Sequence, residues 1–109
     1  MYSLYSSKYS LRFQVAFYML VQKAVGMILM STISAVQARI LRLCNERDWA
    51  INKLATESAV PPSSVKNILY GKSKDPRLTT IKKLCDGFGI TLGEFFSTPE
   101  FDNLEQEIK

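Results

Sequence analysis

The sequence has 109 residues, of which 47% are hydrophobic and 22% charged, with no histidine and only two cysteines. This length suits one modest core, and the composition is that of a folded protein and not of a disordered tail. Without histidine, a nucleophile beside a base, a zinc-ligand set or a glycine-rich phosphate loop, we expect no enzyme, no metal and no cofactor.

The net charge of +4 is unevenly distributed. Residues 31–97 hold ten Lys/Arg and six Asp/Glu, whereas residues 98–109 hold four acids and one lysine, and residues 1–30 supply three further positive charges. A basic domain with an acidic tail favours a polyanionic partner, although a charge this small is equally compatible with no nucleic acid. Three segments are therefore expected: an N-terminal extension over 1–30, a domain over 31–97 and an acidic tail over 98–109.

Residues 13–30 form the most apolar run of the chain. A membrane span would need about 20 predominantly apolar residues, whereas Gln22 and Lys23 interrupt this run. A signal peptide would need a better cleavage site. An upstream extension, with translation starting at Met27 or Met30, is the simplest interpretation; a helix for self-association or membrane attachment stays open.

A first helix is predicted from the capping residues Ser31, Thr32 and Ser34 to about Arg47. Its inward residues recur at three- and four-residue spacing: Val36, Ile40, Leu43 and Cys44. Arg39 and Arg42 should then face outward. Cys44, and Cys85 further along, are in phase with apolar neighbours, which indicates buried reduced thiols and a cytoplasmic protein.

The second and third helices are short and separated by a tight turn. The second is predicted over about Ile51–Ser58, with Trp49 folding onto Leu54 as a hydrophobic staple. The third begins at Pro61-Pro62, because proline suits a first helical turn, and ends at Tyr70-Gly71. Small or apolar residues stand where the two helices must touch, at Leu54, Ala55, Val60, Val65 and Ile68, and this spacing is typical of a helix-turn-helix.

Two further helices complete the prediction. The fourth runs from about Leu78 to Gly87, with Leu78, Ile81, Leu84 and Cys85 inward, and a short fifth runs from about Leu92 to Phe96. No stretch alternates as a strand would. The fold class expected is all-α, with five short helices around one core.

A recognition helix needs one face to lock onto its neighbour and another to expose short polar side chains to base edges. Val65, Ile68 and Leu69 supply the locking face. The candidates for base contacts are Pro62, Ser63, Ser64 and Asn67. Asparagine can pair in bidentate fashion with adenine, and proline can pack on a thymine methyl group.

Phosphate contacts are predicted for the basic and phenolic groups around this face, which are Lys53, Lys66, Tyr70, Lys72, Lys74 and Arg77. Such contacts set affinity and register, not sequence preference. For Lys53 and Arg77 taken singly, a solvated surface charge is the better interpretation; the pair Lys72 and Lys74 beside the third helix favours DNA.

From about Val36 to Phe96 the chain resembles the Cro/repressor-type helix-turn-helix domains, the XRE family. The resemblance rests on VQARILRLCNERDW, NKLATESAV, PPSSVKNILYGK and LTTIKKLCDGFGITLGEFF. It implies a lambda-repressor-like fold and a small bacterial or phage transcriptional regulator that binds double-stranded DNA, commonly as a homodimer on palindromic operators.

The chain departs from the family pattern at four positions. Family members often begin the second helix with Thr-Gln, where this chain has Ala50 and Ile51, so a cap and a phosphate contact are lost. The turn glycine is Ala59, and Pro61 replaces the serine cap of the third helix. The lost cap of the second helix should cost about 1 kcal/mol, and alanine at the turn about as much if its conformation is left-handed.

An alternative function from another class is a protein-interaction module, an antitoxin-like or adaptor partner that uses the apolar N-terminal segment and the C-terminal phenylalanines. The tail itself is expected to form a short amphipathic helix that packs back on the domain.

Overall fold

The computed structural model describes residues 30–108, and the apolar run discussed above lies almost wholly outside them. Within that range the chain forms five α-helices, a short 3-10 helix and no strand beyond one isolated bridge. The α-helices are α1 (Thr32–Arg47), α2 (Ile51–Ser58), α3 (Pro62–Leu69), α4 (Leu78–Phe88) and α5 (Leu92–Phe96), and the 3-10 helix is Pro99–Phe101. The expected all-α, five-helix fold is confirmed.

The ends of α1 follow local capping chemistry. Ser31 is the N-cap residue, and its hydroxyl accepts a hydrogen bond from the Ser34 backbone N–H at 3.2 Å. At the other end Asp48 adopts a left-handed conformation with φ of 58°, and the Trp49 N–H donates to the Cys44 carbonyl at 2.9 Å. These bonds satisfy backbone groups that a helix end would otherwise leave open.

Every α-helix contributes at least one fully buried side chain to the core. The largest are Ile40 of α1, Leu54 of α2, Val65 of α3, Leu84 and Cys85 of α4, and Phe95 of α5. Cys44 is buried as well, and both cysteines are free thiols, as predicted. Burial raises the pKa of both thiols, because a thiolate is poorly solvated there.

The C-terminal segment packs against α1 without forming the expected amphipathic helix. Only Pro99–Phe101 is helical, and the proline at its start and the short run favour a 3-10 turn. The Phe101 ring packs edge-on against Phe96 with centroids 5.0 Å apart, and the Glu105 N–H donates to the Met30 carbonyl at 3.1 Å. The segment therefore joins the domain through rings and backbone bonds.

Two other expectations are corrected. Arg39 and Arg42 do not simply face outward, since Arg39 donates to the Phe95 and Glu94 carbonyls and Arg42 pairs with Glu100 at 2.8 Å. The cause is the returning C-terminal segment, which covers that side of α1.

Leu78 also differs from the prediction, and Trp49 has a ring contact that was not predicted. Leu78 is 64% exposed, because it is the first residue of α4 and helical side chains lean toward the N-terminus, here past the end of the helix. Trp49 packs against the buried cluster that contains Leu54, and its ring also stacks on Phe88 of α4 with ring centroids 5.7 Å apart.

Candidate nucleic-acid interface

The turn between α2 and α3 is closed by backbone bonds. Ala59 has φ of 54°, and its N–H and that of Val60 donate to the Thr56 and Ala55 carbonyls at 3.3 and 3.1 Å. This is the left-handed conformation that glycine adopts more easily than alanine. Val60 is buried directly after the turn and fixes the direction in which α3 starts.

The inner face of α3 is the predicted locking face. Val65 and Ile68 are 0% and 2% exposed, and Leu69 packs partly buried against the same core. These side chains meet Leu54 and Ala55 of α2 in one cluster of buried residues. Burial of this face leaves the opposite face of α3 in solvent.

The solvent face of α3 carries the predicted base-contact residues. Pro62 and Ser63 are exposed, Asn67 is half-buried, and Ser63 and Asn67 are four residues apart and thus on one side of the helix. Lys66 and Tyr70 extend the same face, and Tyr70 is 73% exposed. Ser64 is half-buried at the edge of this face, nearer the core side.

The loop after α3 carries the other predicted phosphate contacts. Lys72, Lys74 and Arg77 are all exposed. The Ser73 N–H donates to the Asn67 carbonyl at 2.8 Å, and Gly71 turns the chain with φ of 86°. The loop is therefore bonded to the last turn of α3, which keeps its lysines beside the polar face.

Lys53 of α2 is exposed but already has neighbours. Its ammonium lies 3.2 Å from Glu57 and 6.0 Å from the Trp49 ring centroid. A surface pair of this kind contributes little, so exchanging the carboxylate for a phosphate would cost little. Lys53 remains the weakest of the predicted phosphate contacts.

The starts of α2 and α3 have no side-chain cap. Ala50 and Pro61 occupy the N-cap positions and make no capping hydrogen bond, as the departures from the family pattern predicted. Amides of a first turn that no side chain caps can bind an anion, and in protein–DNA complexes they commonly bind phosphate.

One residue of this region was not predicted. Gln37 of α1 donates from Nε2 to the Ile68 carbonyl at 2.8 Å, so α1 reaches the end of α3. The periodicity of α1 marks its buried residues but gives no indication of where a half-buried amide between them will bond.

Comparison with known proteins supports the same class of domain. A family model described as the Cro/C1-type HTH DNA-binding domain matches residues 39–100, which is more than half of the chain. The chain belongs to the Cro/C1-type helix-turn-helix family. A solved structure, the crystal structure of the prophage Lp1 protein 11, is similar with 29% identity and a TM-score of 0.61 over 70% of this chain and all of that one. No curated protein matches the sequence.

Membership of the Cro/C1-type family supports DNA binding and transcription regulation as the class of activity. Residues 30–108 contain no group of three or more His, Cys, Asp or Glu side chains placed to hold a metal ion. Nor does any helix in that range combine the length and apolarity that crossing a membrane requires.

Proposed function

We propose that this Cro/C1-type protein is a sequence-specific regulator of transcription that inserts α3 and the adjoining Tyr70 into the major groove of double-stranded DNA. The observation that carries the proposal is the division of α3 into a buried apolar face and an exposed polar face. No acidic residue occurs between Pro62 and Lys74, so every charged side chain of that stretch is a lysine, which favours phosphate.

The base-reading residues we propose are Pro62, Ser63, Ser64 and Asn67. The N-terminal part of a recognition helix lies closest to the base edges, and Asn67 is placed one turn after Ser63 on the same side. Asn67 offers both a donor and an acceptor, which suits adenine, and we assign to it the largest share of sequence preference.

The phosphate contacts we propose lie around the base-reading group, at Lys66 and Tyr70 on α3 and at Lys72, Lys74 and Arg77 after it. Long exposed side chains tolerate small changes of docking geometry, so they contribute affinity that is nearly independent of sequence.

Two wider features belong to the same proposal. One eight-residue helix reads few base pairs, so binding as a homodimer to a palindromic site would extend the sequence read. The similarity to a prophage protein supports an origin in a bacterium or its mobile elements, with action in the cytoplasm.

The alternative, a protein-interaction module, loses part of its support. Phe95 is fully buried, and Phe96 and Phe101 pack against it and each other. The C-terminal phenylalanines therefore contribute to the core and offer little surface to a partner. The other part of that hypothesis concerns residues outside the described range.

The experiment that tests the proposal is selection of bound duplexes from a random pool by the full chain, followed by gel shifts at two salt concentrations. Recovery of one preferred sequence is expected. Failure to bind any duplex at low salt, the DNA flanking its own gene included, would contradict the proposal.

Two substitutions separate base reading from phosphate binding. Asn67→Ala should weaken binding of the protein to its preferred duplex by roughly 1–3 kcal/mol and leave non-specific binding nearly unchanged. Lys72→Ala should weaken binding to all duplexes alike and reduce the slope of log affinity against log salt concentration by about one. Lys83→Ala, an exposed lysine of α4 outside the predicted set, is the matched control and should change neither quantity. An equal loss on every duplex from Asn67→Ala would refute its assignment as a base reader.

A further inference from the structure

Gln37 connects α1 to the end of α3. Its side chain is half-buried beside Val36, and its Nε2 group donates to the Ile68 carbonyl at 2.8 Å across 31 residues of chain. Ile68 lies in the last turn of α3, where carbonyl groups have no partner within the helix. The bond therefore gives this carbonyl a partner outside α3 and fastens the end of α3 to a different helix.

The same end of α3 is held from the loop side. The Gly71 N–H donates to the Ile68 carbonyl at 3.3 Å, and the Ser73 N–H donates to the Asn67 carbonyl at 2.8 Å. Two consecutive carbonyls are thus bonded, one of them from α1 as well as from the loop. Of these bonds, the one from Gln37 joins the end of α3 to α1.

A tether of this kind matters because α3 is short. It has eight residues, and Pro61 at its start makes no side-chain capping bond. Helices of this length are marginal in isolation, so tertiary contacts determine where they lie. The C-terminal half of α3, which carries Asn67, therefore depends on the bonds at its end.

We propose that Gln37 is a positioning residue for sequence readout, which holds α3 at the angle that brings Asn67 to the base edges. This inference rests on the proposed function. A bidentate contact to a base tolerates little displacement, whereas lysines reach phosphates over a range of positions. Loss of the tether should consequently reduce binding to the preferred duplex more than binding to any other.

Two substitutions test the donor role of the Gln37 amide. Gln37→Met keeps an unbranched chain of similar size and a good helix propensity but removes the donor. Gln37→Glu keeps the shape and places a carboxylate oxygen against the Ile68 carbonyl, near the negative end of α3. When that carboxyl is protonated in acid, its O–H can donate to the same carbonyl.

The experiment measures the ratio of affinities of the full chain for the selected duplex and for a scrambled duplex of the same length, at about pH 5 and about pH 8. With Q37M the ratio should fall about three- to tenfold at both pH values, the range expected for one lost hydrogen bond. With Q37E it should fall further at the higher pH, where the carboxylate cannot donate, and recover only in part at the lower, where a carboxyl of ordinary pKa is still mostly ionised. The chain has no histidine, so the wild-type ratio should change little between them. Q106M, at an exposed glutamine of the tail, is the matched control.

Several outcomes would overturn the inference. If the wild type selects a duplex and Q37M retains the wild-type ratio, the Gln37 inference fails and the proposed function stands. A Q37E ratio equal to the wild-type ratio at the higher pH, where the carboxylate cannot donate, would refute the donor role. If the wild type selects no duplex, the proposed function fails and this inference with it. Circular dichroism of each variant checks folding, and if Q37M unfolds, the comparison of Q37E with the wild type at the higher pH decides the matter.

Discussion

The close approach of α2 and α4 at Gly87 allows a sharp test of the packing. A Cβ atom added to Gly87 would lie 2.2 Å from Ser58 Oγ, 3.0 Å from Ser58 Cα and 3.1 Å from the Glu57 carbonyl carbon. The hydroxyl can rotate away, but the two backbone atoms cannot. Gly87→Ala therefore forces α2 and α4 apart.

Two opposing effects determine the size of the change. Alanine is favoured over glycine in a helix by about 1 kcal/mol, whereas overpacking a well-packed contact costs about 1–3 kcal/mol. The contact with backbone puts the cost at the upper end, so the free energy of unfolding should fall by about 1–2 kcal/mol. In a domain of this size that lowers Tm by roughly 5–10 °C.

The assay is thermal and urea unfolding followed by circular dichroism, with Gly93→Ala as the matched control. A Cβ atom at Gly93 of α5 would meet only Thr91 Oγ1, at 3.7 Å, an ordinary contact. Gly93→Ala should leave stability unchanged or raise it by up to about 1 kcal/mol. If Gly87→Ala stabilised the protein as much as Gly93→Ala does, that result would refute the argument from close approach.

Three further substitutions should change stability in known directions, each measured by urea unfolding. Ser58→Ala should stabilise by about 0.5–1 kcal/mol, since Ser58 Oγ is buried with no hydrogen-bond partner in the described part of the chain; a loss would indicate a partner for the hydroxyl. Ala59→Gly should stabilise by up to about 1 kcal/mol because φ is 54° there, and a clear loss of stability would argue against the left-handed turn. Glu100→Ala should destabilise the protein by about 2 kcal/mol, because the side chains of the Arg42–Glu100 pair are only 17% and 13% exposed. Glu107→Ala in the exposed tail is the control and should have no effect. Equal effects of the two substitutions would refute the pairing.

Local sequence rules predicted the helices well. Ser31 and the Pro61-Pro62 pair mark helix boundaries through backbone chemistry that operates within a few residues. The buried faces of α1 and α3 followed from three- and four-residue spacing, because a helix side that meets the core must be apolar along its length. The motif that identifies the family lies within these elements.

Predictions failed where the partner is distant in the chain. The interactions of Arg39 and Arg42 depend on residues more than 50 positions away, and the stacking of Trp49 on Phe88 of α4 was not predicted. The amphipathic pattern of the tail was compatible with a helix, but packing of Phe101 on Phe96 and the backbone bond to Met30 select another conformation. Periodicity records that a residue is buried, not what it is buried against.

The sequence by itself determined the polar face of α3 and the basic loop after it, since exposure of one helix side follows from burial of the other. The tertiary structure decided how that face is held. The bond from Gln37 to the Ile68 carbonyl and the bond from Ser73 to the Asn67 carbonyl fasten the end of α3, and neither follows from the local pattern. A short helix owes its orientation to such contacts, because its own hydrogen bonds stabilise its shape but not its place in the fold.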